Sequence, residues 1–282
     1  MISKLSKFGH WSFSSLFARE IVRLFGSLRE KEKFGLLARP QYAYGLLRAA
    51  DTARYFGVSV VTCCEFGVAA GAGLENMCDL SDVISKETGI KFLIYGFDTG
   101  AGLPDGMTCK DHPEMWMPGD FPMGDTSALE RRMNGRASLI FGNIADTIGE
   151  FTANLSEKAP VGFIAVDVDI YTGARDALRL FDSPEPKVYL PATSVYFDDV
   201  LFYFSNRWCG ELAAIEEFNA THGLRKIDAD RSLPGDRALR HAMFYPQMYA
   251  VHILDHPARN TFPDRPTMDI PEHHQYMSKK KI

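Results

Sequence analysis

Residues 58–73 read Val-Ser-Val-Val-Thr-Cys-Cys-Glu-Phe-Gly-Val-Ala-Ala-Gly-Ala-Gly, and this stretch decides the fold. Its first seven residues form an unbroken run rich in β-branched residues, which is typical of a strand buried on both faces. The glycines after Glu65 let the chain turn tightly and approach a ligand closely, because no Cβ intervenes. A helical pattern over 74–86 follows, and its N-terminus would offer free N–H groups. This order indicates a nucleotide-binding turn, although tight strand–helix packing would also explain the glycines.

Strand-like and helical segments alternate along the rest of the chain. Strands are predicted at 91–97, 138–141, 161–166, 194–197, 224–228 and 247–254, and further helices at 126–134, 146–155, 172–181 and 211–221. Such alternation is typical of a doubly wound sheet. The predicted fold class is therefore α/β: a Rossmann-like, mostly parallel seven-stranded sheet flanked by helices, with an N-terminal helical extension.

The segments outside the sheet give the predicted domain organisation. Helical periodicity over 12–30 and again from Pro40 to Phe56 indicates an N-terminal helical extension at 1–57. The sheet domain follows at 58–255, and the C-terminal tail at 256–282 has no core pattern. Mixed Arg and Glu on the first helix favour packing on the body or on a second subunit over a membrane-surface role. We therefore expect that the N-terminal helices could form a homodimer.

Composition narrows the classes of partner. The net charge of −5 gives no basic field for nucleic acid. No stretch of the sequence is long and apolar enough to span a bilayer. The five cysteines lack CxxC spacing and suggest neither a disulfide framework nor a zinc site. We expect a soluble, cytoplasmic protein that acts on a small molecule and binds neither nucleic acid nor membrane.

Two carboxylates end the first two predicted strands. Glu65 precedes the first glycine, where it could bind a ligand's amino group directly or through water. Asp98 ends the next strand and is placed to accept hydrogen bonds from ribose hydroxyls. Both lie where open α/β sheets bind ligands, so an adenosine-containing ligand is favoured. The residues predicted to bind it are Glu65, Gly67, Gly71, Gly73, Asp98 and Asn143, the last of which follows the third strand.

Two pairs of aspartates end the fourth and fifth predicted strands. Asp167 and Asp169 are two residues apart, so both face the same side if the strand geometry persists. Asp198 and Asp199 end the next strand. Four converging carboxylates would repel one another, and Mg²⁺ or another hard divalent cation would relieve that repulsion. Each pair alone could instead be turn residues bonded to backbone; two pairs on consecutive strands favour a metal site.

Together the motifs resemble the macrocin O-methyltransferase family. The matching segments are Glu65-x-Gly-Val-x-x-Gly-x-Gly, Gly96-Phe97-Asp98-Thr99 with Gly102-Leu103-Pro104, Asp167-Val168-Asp169-Ile170-Tyr171, and Asp198-Asp199. The resemblance covers roughly residues 58–255. It implies a class I methyltransferase that uses S-adenosylmethionine (SAM) and a divalent metal to methylate hydroxyls, best known on sugars. The chain departs from the family pattern at 190–193 and Val200, where the family has Gly-Gly and Tyr, so the resemblance is to a distant branch.

The resemblance also implies roles for the matching residues. Asp167, Asp198 and Asp199 would hold the metal, which would lower the pKa of an acceptor hydroxyl. Asp169 would be the catalytic general base. Glu65, Gly67 and Asp98 would line the SAM site. The predicted function is thus SAM-dependent O-methylation of a sugar or other small-molecule acceptor.

Two other functions remain open at this stage. A non-catalytic protein on the same fold would bind SAM or a related nucleoside without turnover. A nicotinamide-dependent oxidoreductase would use the same crevice but leaves the four aspartates unexplained.

A long segment rich in Gly, Pro and Met spans about 99–127. Loops of this length are usually functional or disordered. Its methionines and aromatic residues suit a lid over an acceptor. A surface excursion with its own small apolar cluster is the alternative.

Overall fold

The computed structural model describes residues 13–261 except 234, 236, 239 and 240. The part of the predicted C-terminal tail after residue 261 therefore lies outside the described residues. The first twelve residues of the predicted N-terminal extension lie outside them as well. The strands are β1 (Val60–Phe66), β2 (Lys91–Asp98), β3 (Ser138–Phe141), β4 (Val161–Val166), β5 (Tyr189–Phe197), β6 (Arg225–Ala229) and β7 (Met248–Ile253). The helices are α1 (Phe13–Phe25), α2 (Leu28–Lys33), α3 (Pro40–Tyr55), α4 (Ala72–Thr88), α5 (Thr126–Met133), α6 (Ile144–Ala153), α7 (Tyr171–Leu178) and α8 (Gly210–Thr221).

The seven strands form one sheet in the order β3-β2-β1-β4-β5-β7-β6. Adjacent strands pair in parallel from β3 to β5, and β7 pairs antiparallel with both β5 and β6. This confirms the predicted seven-stranded, mostly parallel sheet flanked by helices. The strand β1 lies inside the sheet between β2 and β4, and hydrophobic clusters cover both of its faces, which explains why its sequence is apolar on both.

Helices cover both faces of the sheet. Buried side chains of α3 and α4 form a hydrophobic cluster on one face, and those of α6, α7 and α8 form a second cluster on the other. Adjacent Cys63 and Cys64 belong to different clusters, because successive side chains of a strand point to opposite faces. Both are buried free thiols, as expected of cysteines that serve as small apolar residues.

The helical pattern predicted at 12–30 is two helices rather than one. Ser27 interrupts it, because its side chain accepts a hydrogen bond from the Glu30 backbone N–H, and the Glu30 carboxylate accepts one from the Ser27 backbone N–H. This capping box starts α2. In α1 the side chains of Phe17, Leu24 and Phe25 are exposed, Phe25 to 83%. The homodimer through these helices stays a prediction.

Two further features bear on the sequence-based expectations. The strand β5 begins at Tyr189, upstream of the predicted 194–197, and Pro191 lies where the β4–β5 register shifts. A proline inside a sheet is tolerated at such an irregularity because it donates no ladder hydrogen bond. None of the described helices has the length and apolar character required to cross a membrane.

The strands that carry the predicted site end at the same level. Phe66 of β1 is in register with Phe97 of β2 and with Val166 of β4, and Val166 is in register with Phe197 of β5. The residues that follow these positions therefore leave the sheet side by side. This register places the glycine turn, Asp98 and both aspartate pairs along one edge.

The packing of α3 on the sheet gives a matched test with two helical glycines. A Cβ on Gly45 would lie 2.2 Å from the buried ring of Phe163, whereas a Cβ on Gly149 of α6 would meet nothing within 4 Å. We expect Gly149→Ala to raise the free energy of unfolding by up to about 1 kcal/mol. Gly45→Ala should lower it by about 1–3 kcal/mol, because overpacking outweighs the gain in helix propensity. Urea denaturation measures both, and equal effects of the two changes would contradict this packing.

Candidate active site

A cavity of about 360 Å³ opens at the carboxyl ends of β1, β2 and β4. The glycine turn and Asp98 line one part of it, and Asp167 and Asp169 line another. Among the other lining residues are Arg39, Gly102, Leu103, Pro104, Asp120, Phe121, Asn143, Ile144, Val168 and Ile170. Five of the six predicted cofactor residues, all except Gly71, thus line the same cavity as the first aspartate pair.

Each glycine of the turn is required for a different structural reason. Gly67 has φ +84°, and a Cβ there would lie 1.7 Å from the carbonyl oxygen of Asp167. A Cβ on Gly73 would lie 1.9 Å from Oε1 of Glu65. Gly71 has φ +89° and precedes α4, and a Cβ there would collide with Leu129 of α5. Gly67 and Gly73 line the cavity, while Gly71 faces α5. Close packing is therefore one reason for these glycines.

Glu65 is a buried carboxylate with one unpartnered oxygen. Its Oε1 accepts a hydrogen bond from the Tyr42 hydroxyl at 2.5 Å, while Oε2 has no partner among the described residues. Burial raises the pKa of Glu65 to about 8, against the effect of the Tyr42 hydrogen bond. Such a group gains most from a cationic partner that reaches it through the cavity. The sequence indicated Tyr42 only as an apolar position on a helix.

Asp98 and Asn143 line the cavity and also hold local structure. Oδ2 of Asp98 accepts hydrogen bonds from the backbone N–H groups of Val68 and Ala69, each at 2.8 Å. Its Oδ1 accepts one from Gly100 at 2.7 Å. The side-chain oxygen of Asn143 caps α6. Because each carboxylate oxygen has two lone pairs, Asp98 can still accept a ligand hydroxyl while it holds the glycine turn.

The four aspartates divide into a cluster of three and one neighbour. Carboxylate oxygens of Asp167, Asp198 and Asp199 lie within 4.8 Å of one another. Asp169 is outside this cluster, and its backbone N–H donates to Oδ2 of Asp199 at 3.1 Å. The strand ends at Val166, and Asp169 has φ +62°. Asp167 and Asp169 were expected to face the same side only if the strand geometry continued to Asp169. The strand does not continue that far, so this condition is not met.

Burial and mutual repulsion raise the pKa values of Asp167, Asp169 and Asp199. The pKa of Asp167 rises to about 7, first through burial and then through the charges of Asp198 and Asp199. The same two kinds of cause raise the pKa of Asp169 to about 7 and that of Asp199 to about 8. Three clustered carboxylate oxygens are the donors that hard divalent cations prefer. The cluster therefore fits the predicted Mg²⁺ site in the chemistry of its ligands.

The structure adds three residues that the sequence did not indicate. Glu211 at the start of α8 is fully buried, and its Oε2 accepts a hydrogen bond from the Asp199 backbone N–H at 2.9 Å. The Tyr196 hydroxyl donates to Oδ1 of Asp198. Arg39 precedes α3 and lowers the pKa values of both Glu65 and Asp167. A lone Glu at a helix start, a strand tyrosine and an arginine before Pro40 carry no motif by which the sequence could have revealed them.

The segment between β2 and α5 is anchored at two places. Buried Asp111 accepts hydrogen bonds from Thr108 and from Thr172 at the start of α7. Leu103 donates its N–H to Asp120 at 2.9 Å and accepts one from Gly119 at 2.8 Å, so the two sides of the segment pair above the cavity. The segment both lines the cavity and has aromatic contacts of its own. Its role as a moving lid stays a prediction.

Comparison with known proteins supports the fold. No protein-family profile matches the sequence, and no curated protein matches it. The structure of CalS11, a calicheamicin methyltransferase, matches with a TM-score of 0.51 at 20% identity over 89% of this chain and 97% of the other. The O-methyltransferase NovP matches with a TM-score of 0.49 at 15% identity over 76% of this chain and 79% of the other. The likeness to CalS11 concerns the fold, and it confirms the predicted class I methyltransferase architecture.

The buried proton of Glu65 gives a pH-dependent prediction. Because its pKa is raised from 4.5 to about 8, the folded chain keeps a proton that the unfolded chain releases. This contribution to stability is complete below the unfolded pKa and is lost as the pH rises through the folded pKa. Glu65→Gln mimics the protonated acid at every pH. We expect the unfolding free energy of Glu65→Gln, relative to the unmodified chain, to increase between about pH 5 and about pH 9.

Urea denaturation at both pH values tests this prediction. Glu130→Gln, at an exposed position of α5, is the matched control and should show a difference that does not change with pH. A pH-independent difference for Glu65→Gln as well would show that Glu65 is ionised in the folded chain.

Proposed function

We propose that this chain is a SAM-dependent O-methyltransferase that acts with a divalent cation on a small-molecule hydroxyl. One observation carries the proposal. A single cavity joins the unpartnered carboxylate oxygen of Glu65 to Asp169, and the Asp167–Asp198–Asp199 cluster adjoins it. The methyltransferase activity named for CalS11, which shares the fold, supports the same conclusion.

The polar groups in the part of the cavity formed by Glu65, the glycine turn and Asp98 favour SAM over a dinucleotide. SAM carries an ammonium group in its methionine part and a ribose in its nucleoside part. Glu65 would pair with the ammonium through its free Oε2, and Asp98 would accept a hydrogen bond from the ribose. A nicotinamide dinucleotide has no ammonium group for the buried Glu65, whose desolvation would then stay uncompensated. Asn143, at the start of α6, would line the nucleoside part of the site.

Asp167, Asp198 and Asp199 would hold Mg²⁺ or a similar cation. Their oxygens are close enough to share one ion. Burial first, and then the repulsion that a cation would remove, raise the pKa values of Asp167 and Asp199. When bound, the cation would lower the pKa of the acceptor hydroxyl. Tyr196 and Glu211 would orient two of the ligands, through the Asp198 carboxylate and the Asp199 backbone N–H respectively.

Asp169 would act as the general base. It lines the cavity outside the cluster of three, and burial sets its pKa at about 7, which suits proton acceptance at neutral pH. As the hydroxyl oxygen forms its bond to the SAM methyl carbon, the carbon–sulfur bond breaks and the hydroxyl proton passes to the Asp169 carboxylate. The sulfonium is already an activated donor, so the chain contributes mainly positioning and this proton transfer.

Replacement of the base tests the reaction. We expect Asp169→Asn to lower kcat by at least about 100-fold, because general-base catalysis contributes roughly 10²–10⁴. The Kd for SAM, measured by calorimetry, should stay within about threefold, since the change lies outside the residues proposed to bind SAM. Asp105→Asn, at an exposed position between β2 and α5, is the matched control and should keep full activity. Undiminished turnover by Asp169→Asn would contradict the assignment.

Removal of the cation tests the second half of the proposal. We expect EDTA to abolish methyl transfer and Mg²⁺ or Mn²⁺ to restore it. Calorimetry should show binding of Mn²⁺ to the unmodified chain and at least about tenfold weaker binding to Asp198→Asn, with Asp105→Asn unchanged. Methyl transfer at the full rate in EDTA would remove the cation from the reaction while leaving SAM-dependent transfer in place.

A further inference from the structure

Apolar side chains contribute to the lining of the cavity. Leu103, Pro104 and Phe121 approach it from the segment between β2 and α5, and Ile170 approaches it from the β4 side. Phe121 is half exposed and has φ +60°, an uncommon backbone conformation for a bulky residue. A half-exposed apolar ring therefore lines the same cavity as the proposed base.

Aromatic contacts continue from Phe121 to the protein surface. The ring of Trp116 lies 5.7 Å from that of Phe121 and 6.2 Å from that of Phe202, which follows the Asp198-Asp199 pair in sequence. The next residue, Tyr203, is 91% exposed and contacts Phe204 edge to face. We call Trp116, Phe121, Phe202 and Tyr203 the aromatic rim. Ring contacts lead from Phe121, which lines the cavity, through Trp116 to Phe202, and the exposed Tyr203 is the next residue in the sequence.

The charges around the cavity exclude one class of acceptor. The lining of the cavity carries five carboxylates, Glu65, Asp98, Asp120, Asp167 and Asp169. Within the part of the chain that the structure describes, Arg39 is the one cation that lines the cavity. A single bound divalent cation would still leave carboxylates in excess, so a diphosphate group would be repelled.

We infer that the acceptor is an uncharged molecule with an aromatic surface, and that it presents its hydroxyl to Asp169 while its ring packs on the aromatic rim. This inference rests on the proposed function and names its substrate class. Both an aryl glycoside and a polyphenol have this chemistry, whereas a nucleotide-linked sugar does not. Stacking on exposed rings supplies binding energy without a cation, which is what this site offers.

Binding measurements on the full chain loaded with S-adenosylhomocysteine and Mg²⁺ test the inference. Three probes share the same sugar hydroxyls and differ in their aglycone: 4-nitrophenyl glucoside, methyl glucoside and UDP-glucose. Quercetin is the fourth probe and represents the polyphenols. We expect 4-nitrophenyl glucoside or quercetin to bind at least about tenfold more tightly than methyl glucoside and UDP-glucose. Mass spectrometry after incubation with SAM then shows whether the methyl is on a sugar or a phenol hydroxyl.

A surface variant distinguishes binding at the aromatic rim from nonspecific binding to exposed aromatic side chains. Tyr203→Ser should raise the Kd of the tighter aromatic probe about tenfold without affecting stability, because Tyr203 is exposed. Tyr55→Ser, which removes a tyrosine that is 73% exposed at the end of α3, is the matched control and should leave this Kd unchanged. The Kd of S-adenosylhomocysteine should be the same in all three proteins.

The outcomes distinguish the inference from the function on which it rests. Failure of S-adenosylhomocysteine to bind would overturn the proposed function. Normal cofactor binding with UDP-glucose bound as tightly as the aromatic probes, or with no aromatic probe bound, would overturn the inference alone. A shift of Tyr203→Ser from dimer to monomer in sedimentation, with the Kd of the aromatic probe unchanged, would assign the rim to a second copy of the chain and would also overturn it.

Discussion

The close approach of two backbone turns governs the rest of the site. Where β1 and β4 end, the position that a Cβ of Gly67 would occupy lies 1.7 Å from the carbonyl oxygen of Asp167. Only a residue without a Cβ allows the two chains to leave the sheet in contact. This contact places the glycine turn beside the first aspartate pair. A cofactor bound on one turn would therefore lie next to an acceptor bound at the other, which is the proximity that group transfer requires.

The same compactness makes the site electrostatically unfavourable when it is empty. Two unit charges a little under 5 Å apart repel by on the order of 3 kcal/mol at an effective dielectric constant of about 20. A pKa shift of one unit corresponds to about 1.4 kcal/mol, so each such repulsion would raise a carboxylate pKa by about two units. Burial first and this repulsion second account for the rise of the Asp167 and Asp199 pKa values to about 7 and about 8, and both carboxylates therefore hold their protons more tightly than exposed ones do. A divalent cation and an ammonium group, at the cluster and at Glu65 respectively, would each replace such a proton.

The sequence predicted the sheet, the order of its motifs and the convergence of its carboxylates because these depend on local patterns. Continuous apolar runs identified the strands. Parallel strands that end at the same level bring the residues that follow them together, however the helices pack on the sheet. Tyr42, Tyr196 and Glu211 escaped prediction because tertiary packing alone gives them their hydrogen bonds to Glu65, Asp198 and Asp199. The break between α1 and α2 was readable in principle from the Ser27–Glu30 capping box. The backbone conformation of the residues that follow β4 could not be read from the sequence, since no sequence rule fixes how far a strand continues beyond its last paired residue.

That backbone conformation explains why Asp167 and Asp169 can differ in role although they belong to one motif. The left-handed conformation at Asp169 turns its backbone N–H toward Oδ2 of Asp199 at 3.1 Å. Aspartate adopts this conformation more readily than most residues because its short polar side chain can bond locally. The turn leaves the carboxylate of Asp167 with the cluster and that of Asp169 on the cavity surface. A longer or branched residue at 169 would disfavour the turn, so the separation of a metal ligand from a proton acceptor depends on backbone conformation as much as on the presence of two carboxylates.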